Sequence, residues 1–364
     1  ARVNRSAVTV DAVPSGGLGT QGVAQGPALH ADRIPTSSAI AAERPNAFGA
    51  DVFGADAHVR RAASIRSRSV LADVSQLVRP RIPNRVLSTV AAAAWRTAGR
   101  PADAGRFLWL LAGTALVAVS SSVTNQILER GSDRLMRRTS GRPIASGRLG
   151  VREAWVASIA FLTVGGVICV IASGFGAAAA ALATWLVYVV LYTPLKRSTP
   201  LNTAVGAVAG ALPVAIGWLA ADGPDRLWAG DARGCLAVGG LATVLYLWQF
   251  PHFMAIAWIY RGQYAAAGMR MLTVVDPSGL RAAGQALAAA LSMVPASLVL
   301  SVPSGDVRMF LSASVASTVY LLATIRFALR RDDASARFLL LSSLGALIAL
   351  LTAAIVFGPP LPTA

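Results

Sequence analysis

From about residue 106 onward, long apolar runs alternate with short polar connections. Eight runs of roughly 18–25 residues lie near 106–128, 152–174, 176–194, 201–221, 234–258, 282–303, 308–328 and 336–357, each long enough to cross a bilayer core as a helix. A ninth, near 84–99, holds the apolar stretch Val86 to Ala94 but ends in Trp95-Arg96. The pattern predicts an all-α, polytopic integral membrane protein with nine transmembrane helices. Residues 1–70 have no sustained apolar period; they are rich in Ala, Ser, Gly, Pro and Arg and lack lysine. The expected layout is therefore an N-terminal extension over 1–70, a transmembrane domain over 71–358 and a short tail over 359–364.

Charge placement gives the topology. Arg130, Arg134, Arg137, Arg138, Arg142 and Arg148 lie between the second and third runs, Lys196 and Arg197 between the fourth and fifth, Arg261 and Arg270 between the sixth and seventh. Arg326, Arg330, Arg331 and Arg337 flank the eighth-to-ninth connection. Alternation puts all four loops on one side. The opposite loops are bare (Gly174-Phe175-Gly176) or acidic (Asp222, Asp225, Asp231). The positive-inside rule orients the basic loops toward the cytoplasm, or toward the matrix of an organelle.

Composition narrows the class. Of 364 residues, 55% are hydrophobic and only 14% charged, with mean hydropathy +0.57, which excludes an ordinary soluble domain. The net charge of +16 does not indicate a nucleic-acid binder, because much of it is topogenic loop arginine and there is no aromatic-interleaved basic stripe of the kind that stacks bases. Cys169 and Cys235 lie in or beside apolar runs and read as small buried hydrophobes. Residues 58–70 are Arg/Ser-rich and acid-poor, as in an organelle-targeting peptide, and the chain opens on Ala1, consistent with processing. A disordered extension is the alternative on composition.

Three segments carry candidate chemistry. In the first, Asn125, Glu129 and Asp133 stand at i, i+4 and i+8, on one helical face at the membrane surface. Arg138 and Arg142 follow. Carboxylates among arginines can be solvated ion-pair partners. An amide one turn deeper is costly without a partner, however, and oxygen ligands ringed by arginines suit a magnesium-bound polyphosphate. The second segment is Tyr192-Thr193-Pro194-Leu195-Lys196-Arg197. Lys196 is the only lysine among 33 basic residues; it fits either a snorkelling cation or a diphosphate ligand. The nearby Gly206, Gly210 and Gly217 read as helix-packing positions. The third segment is Trp248-Gln249-Phe250-Pro251-His252-Phe253, followed by Tyr260-Arg261-Gly262-Gln263-Tyr264. His252 is the only histidine in the apolar region. A lone histidine is often a packing residue, but imidazole at membrane depth can also bind haem iron or handle a proton.

Together these segments, from about residue 72 to 357, resemble the UbiA-type intramembrane prenyltransferases, and among them the protohaem IX farnesyltransferases (haem O synthases) of the mitochondrial branch. The resemblance implies a nine-helix bundle around a central cavity, capped by the motif loops. It implies transfer of the farnesyl group of farnesyl diphosphate to a vinyl group of haem b, making haem O on the way to the haem A of cytochrome c oxidase. Asn125, Glu129 and Asp133 would hold Mg²⁺. Arg138, Arg142, Lys196, Arg197, Tyr192 and Arg261 would bind the diphosphate, and His252 with Trp248 the haem. It further implies the inner mitochondrial membrane, with a bacterial plasma membrane as the alternative, and a respiratory-complex or haem-pathway protein as partner. Two departures stand out: Gln263 replaces an expected aspartate, and the first helix, after Arg79-Pro80-Arg81, is short and arginine-interrupted. A catalytically impaired homologue serving as a structural subunit of a respiratory complex is the rival reading. Prenyl transfer to a quinone-type acceptor ranks lower, because the sixth-to-seventh loop has no second aspartate-rich motif. A transporter ranks last, because the polar motifs cluster at one surface.

Overall fold

The computed structural model describes residues 70–98 and 103–358. The expected extension over 1–70, but for its last residue, and the tail over 359–364 lie outside the described residues. All regular structure among the described residues is helical. The helices are α1 (Val70–Val78), α2 (Arg81–Ala98), α3 (Ala104–Leu135), α4 (Val151–Leu186), α5 (Thr193–Ser198), α6 (Asn202–Ala211), α7 (Pro213–Ala220), α8 (Gly223–Trp228), α9 (Ala232–Ile259), α10 (Arg261–Ala266), α11 (Leu272–Val275), α12 (Leu280–Ser301), α13 (Val307–Arg330) and α14 (Asp333–Val356).

Seven helices among the described residues are long and apolar enough to span a membrane. One of them, the continuous segment Val151–Ser198, is really two legs. Gly174 adopts φ 77°, ψ 179°, which a Cβ-bearing residue takes up only with strain. Ser158, before it, and Trp185, after it, both hydrogen-bond the Ser120 hydroxyl, at 2.9 and 3.0 Å. A straight helix would hold those two residues about 40 Å apart, so the chain doubles back at Gly174. The expected spans 152–174 and 176–194 are thus separate. α2 is 18 residues long but falls outside the seven, because Arg81, Arg85 and Arg96 interrupt it.

α3 is the central element. Every residue from Val117 to Ile127 is buried, so this stretch is enclosed by protein on all sides. That explains its run of Ser120, Ser121, Ser122 and Thr124, small polar groups that hydrogen-bond neighbouring helices or their own preceding turn. The largest apolar cluster lies between α9, α12, α13 and α14, around Met254, Met293, Tyr320, Phe327 and Leu350. A second joins α2, α3, α4 and α7 through Val90, Leu110, Cys169 and Ile216. Arg96 is buried yet donates to the Leu300 carbonyl at 3.0 Å, at the C-terminal end of α12 where the helix dipole favours a cation.

Close packing of α7 on α2 depends on Gly217. A Cβ there would collide with the Val90 carbonyl oxygen and come within 2.9 Å of the Ala93 Cβ and the Ala94 nitrogen. Backbone cannot swing aside as a side-chain tip can. Gly217→Ala should therefore destabilise the bundle by about 1–3 kcal/mol, read as a lower melting temperature in detergent; an unchanged melting temperature would refute the contact.

The basic loops meet on one side, as the charge pattern requires. The Arg270 amide donates to the Lys196 carbonyl at 2.7 Å, and the Asn202 side chain to the Arg270 carbonyl at 3.3 Å. The Arg138 amide donates to Gln263 Oε1 at 3.1 Å. Arg261 pairs with Asp333 at 2.7 Å. Four connections are thus tied into one cap.

Candidate active site

Beneath this cap lies a cavity of about 600 Å³, within the range that encloses small organic ligands. Its walls come from α2, α3, α4, α6, α9 and α14. Of the residues expected at the site, Asn125, Glu129, Asp133, Arg138, Arg142, Tyr192, Lys196, Trp248 and His252 line it. Arg197 and Arg261 do not. Arg197 is exposed: it follows Lys196 by one residue, about 100° around the helix, so only one of the two can face inward. Arg261 is committed to Asp333 and to the Trp258 carbonyl, and stacks over the Trp258 ring at 4.5 Å. Gln263, placed where an aspartate was expected, spends its amide oxygen on the Arg138 amide and is absent from the cavity wall.

Each carboxylate on the acidic face of α3 pairs with one cation. Glu129 Oε1 pairs with Lys196 Nζ at 2.7 Å, and Asp133 Oδ2 with Arg142 Nη1 at 2.6 Å. Lys196 also lies 4.4 Å from the Tyr192 ring centroid. It reaches this position because the chain makes a π-turn at Val187–Tyr192, which carries Tyr188 and Tyr192 into the wall with ring centroids 5.5 Å apart. Gly206 leaves room for Tyr192, whose ring carbon would lie 2.7 Å from an added Cβ, and Gly210 leaves room for the Gln249 amide. These two glycines thus shape the cavity as well as packing helices.

Hydroxyl groups fix two polar side chains. Thr193 Oγ1 donates its single proton to the Tyr188 carbonyl at 2.9 Å, so it accepts from Asn125 Nδ2 at 3.1 Å. That orients the amide and leaves Asn125 Oδ1 buried without a donor. Asp133 Oδ1 is likewise buried without a donor. Such oxygens are expensive unless something positive satisfies them. Deeper in the wall, Ser343 Oγ donates to the Leu340 carbonyl at 2.6 Å and therefore accepts from His252 Nδ1 at 2.7 Å. His252 is thereby held with its proton on Nδ1 and its lone pair on Nε2. The imidazole stacks on Trp248 with centroids 4.6 Å apart, and the indole donates to the Ser343 carbonyl at 2.7 Å.

Two residues outside the three motifs bear on the cavity. Arg79, in a left-handed conformation at φ 51° between α1 and α2, lines the acidic end. Burial above all lowers its pKa, with Arg142 and Arg138 acting in the same direction against Tyr188 and Glu129. An anion here would relieve that field. Ser343 comes from the last helix and follows no pattern. The signal for Arg79 was the Arg79-Pro80-Arg81 run ahead of the first helix, and there was none for Ser343.

Among the described residues no three His, Cys, Asp or Glu side chains gather to hold a metal. The orphaned Asn125 and Asp133 oxygens nevertheless fit a hard cation that is also bound by phosphate. Their spacing limits how. On the unbroken α3 they stand about 12 Å apart along the axis, whereas two oxygens on one Mg²⁺ are at most about 4.2 Å apart. The three-residue set expected from the sequence therefore cannot converge on a single ion.

Residues 86–357 match the UbiA prenyltransferase family. A protoheme IX farnesyltransferase of Rhodopirellula baltica is 39% identical over 285 residues, covering 76% of this chain and 96% of that protein. A mitochondrial protoheme IX farnesyltransferase of Arabidopsis thaliana is 42% identical over 188 residues, covering 50% of this chain and 41% of that protein. Among solved structures, a digeranylgeranylglyceryl phosphate synthase superposes with TM-score 0.63 at 15% identity, covering 79% of this chain and 98% of that one. A UbiA homologue from Archaeoglobus fulgidus bound to GPP and Mg²⁺ does so with TM-score 0.56 at 15% identity, covering 78% and 100%. At that identity the structures speak for the fold; the sequence relatives go further, and the chain belongs to the UbiA prenyltransferase family, within its protohaem IX farnesyltransferase branch.

Proposed function

We propose that this protein transfers the farnesyl group of farnesyl diphosphate to a vinyl group of haem b, giving haem O. One observation carries the reading: a single cavity joins a charged end, built from the α3 acids with Arg79, Arg138, Arg142 and Lys196, to a wall where His252 offers a free Nε2 beside Trp248. Neither Arg197 nor Arg261 belongs to the diphosphate site in this reading, and Arg79 joins it. Asn125, Glu129 and Asp133 would hold Mg²⁺, though not all three on one ion. When bound, Mg²⁺ supplies positive charge to the phosphate oxygens as the leaving group departs.

Arg138, Arg142 and Lys196 neutralise the diphosphate as the carbon–oxygen bond breaks and it leaves with the electron pair. The pairs with Asp133 and Glu129 hold Arg142 and Lys196 in place beforehand, so little reorganisation is needed. The apolar wall keeps water from the allylic cation. The vinyl π electrons of haem b then close the new carbon–carbon bond; water adds at the remaining cationic carbon and loses a proton, giving the hydroxyethylfarnesyl group. His252 Nε2, its tautomer set by Ser343, positions the haem through its iron.

The transmembrane domain over 71–358 carries this activity. We place it in the inner mitochondrial membrane with the cap facing the matrix, on the strength of the basic 58–70 stretch and of the mitochondrial relative; a bacterial plasma membrane is the alternative. A purely structural role has no use for a charged internal cavity. Purified protein incubated with haem b, farnesyl diphosphate and Mg²⁺ should yield a porphyrin heavier by one farnesyl group plus one hydroxyl group. Unmodified haem alone would refute the proposal.

A further inference from the structure

Arg85 is a cation that the reaction as described leaves unused. It sits one turn beyond Arg81 on α2 and lines the cavity, with no hydrogen bond or ion pair to any described residue. Its guanidinium lies 6.0 Å from the centre of the Trp248 ring, the same ring that stacks on His252. It stands apart from the acidic face: Arg79 feels Glu129, Arg138 and Arg142, whereas the neighbouring charge acting on Arg85 is that of Arg81. Its side chain is exposed where it lines the cavity, so the guanidinium is available to an anion that enters.

The anion it can meet follows from the acceptor's chemistry, so this inference rests on haem b being that acceptor. Haem b carries two propionate carboxylates on one edge and its vinyl groups on the other half of the ring. We propose that Arg85 binds a propionate carboxylate of the haem and so determines which edge of the macrocycle faces the farnesyl donor. The planar guanidinium fork matches a carboxylate bidentately, a fit that a point-charge ammonium reproduces only in part. Anchoring one edge leaves the His252 Nε2 to fix the iron. Two separated contacts then define the plane and rotation of a nearly symmetric disc, which neither contact does alone.

The test uses the full chain in detergent, with haem b and haem b dimethyl ester titrated against the Soret band, and with KM measured for both substrates. Arg85→Met should weaken haem b binding roughly 10- to 100-fold while leaving the KM for farnesyl diphosphate within about twofold, and Arg85→Lys should recover part of the loss. The dimethyl ester should bind wild type and Arg85→Met alike. A rise in the farnesyl diphosphate KM with haem binding intact would assign Arg85 to the diphosphate and overturn the proposal. So would a dimethyl ester that binds wild type as tightly as haem b, a comparison that needs no variant to fold. Wild-type protein that neither binds nor farnesylates haem b removes the parent reading, and this one with it.

Discussion

Asp133→Asn should yield a folded protein whose kcat for haem farnesylation is lower by about 10²–10³, the range seen when one preorganised charge-stabilising group is removed from an active site. Asp133 is fully buried, and one of its oxygens accepts from Arg142 at 2.6 Å. Asparagine keeps that acceptor, so the local structure survives better than with alanine. What it loses is the negative charge on the other oxygen, which has no donor in the protein. The Mg²⁺ concentration for half-maximal activity should rise accordingly. Rates of porphyrin product formation across a Mg²⁺ series, beside a thermal melt, separate the two effects. Wild-type turnover with wild-type Mg²⁺ dependence would remove Asp133 from the chemistry.

Lys196→Met should abolish measurable activity and also cost about 3–5 kcal/mol of stability, the usual penalty for breaking a buried pair by removing one partner. The side chains of Lys196 and Glu129 are only 11% and 10% exposed, so the abandoned carboxylate would have little access to water. The double variant Glu129→Gln/Lys196→Met removes both charges at once. It should regain most of the lost stability, because two neutral groups of similar shape avoid the desolvation penalty, yet remain inactive. If the single variant melts like wild type, the pair is not held as described. If the double variant is active, neither residue handles the diphosphate.

The acidic face of α3 was legible because a helix converts a spacing of four residues into one surface, and Asn125, Glu129 and Asp133 obey that spacing without interruption. The topology was legible because charge asymmetry between loops needs no knowledge of packing. Rotation about a helix axis was not. Lys196 and Arg197 are equivalent as charges, and only the docking of α5 on α3 decides which one meets Glu129. Arg261 lies off the cavity wall for a like reason, since its partner Asp333 comes from the start of α14 and no local pattern joins them. Partners contributed by distant helices, such as Thr193 for Asn125 and Ser343 for His252, are set by tertiary contact, and a hydroxyl in an apolar run carries no mark of what it will hold.

The π-turn at Val187–Tyr192 makes chain length here as consequential as any side chain. Such a turn accommodates one residue more than an ordinary α-helical path would. Deleting a single residue would let the segment relax into a regular helix and rotate all that follows by about 100°. Lys196 would swing off Glu129 and Thr193 off Asn125, dismantling two sides of the cavity without touching either pair. Among variants of this protein, a one-codon deletion in that stretch should therefore be far less tolerated than most single substitutions within it.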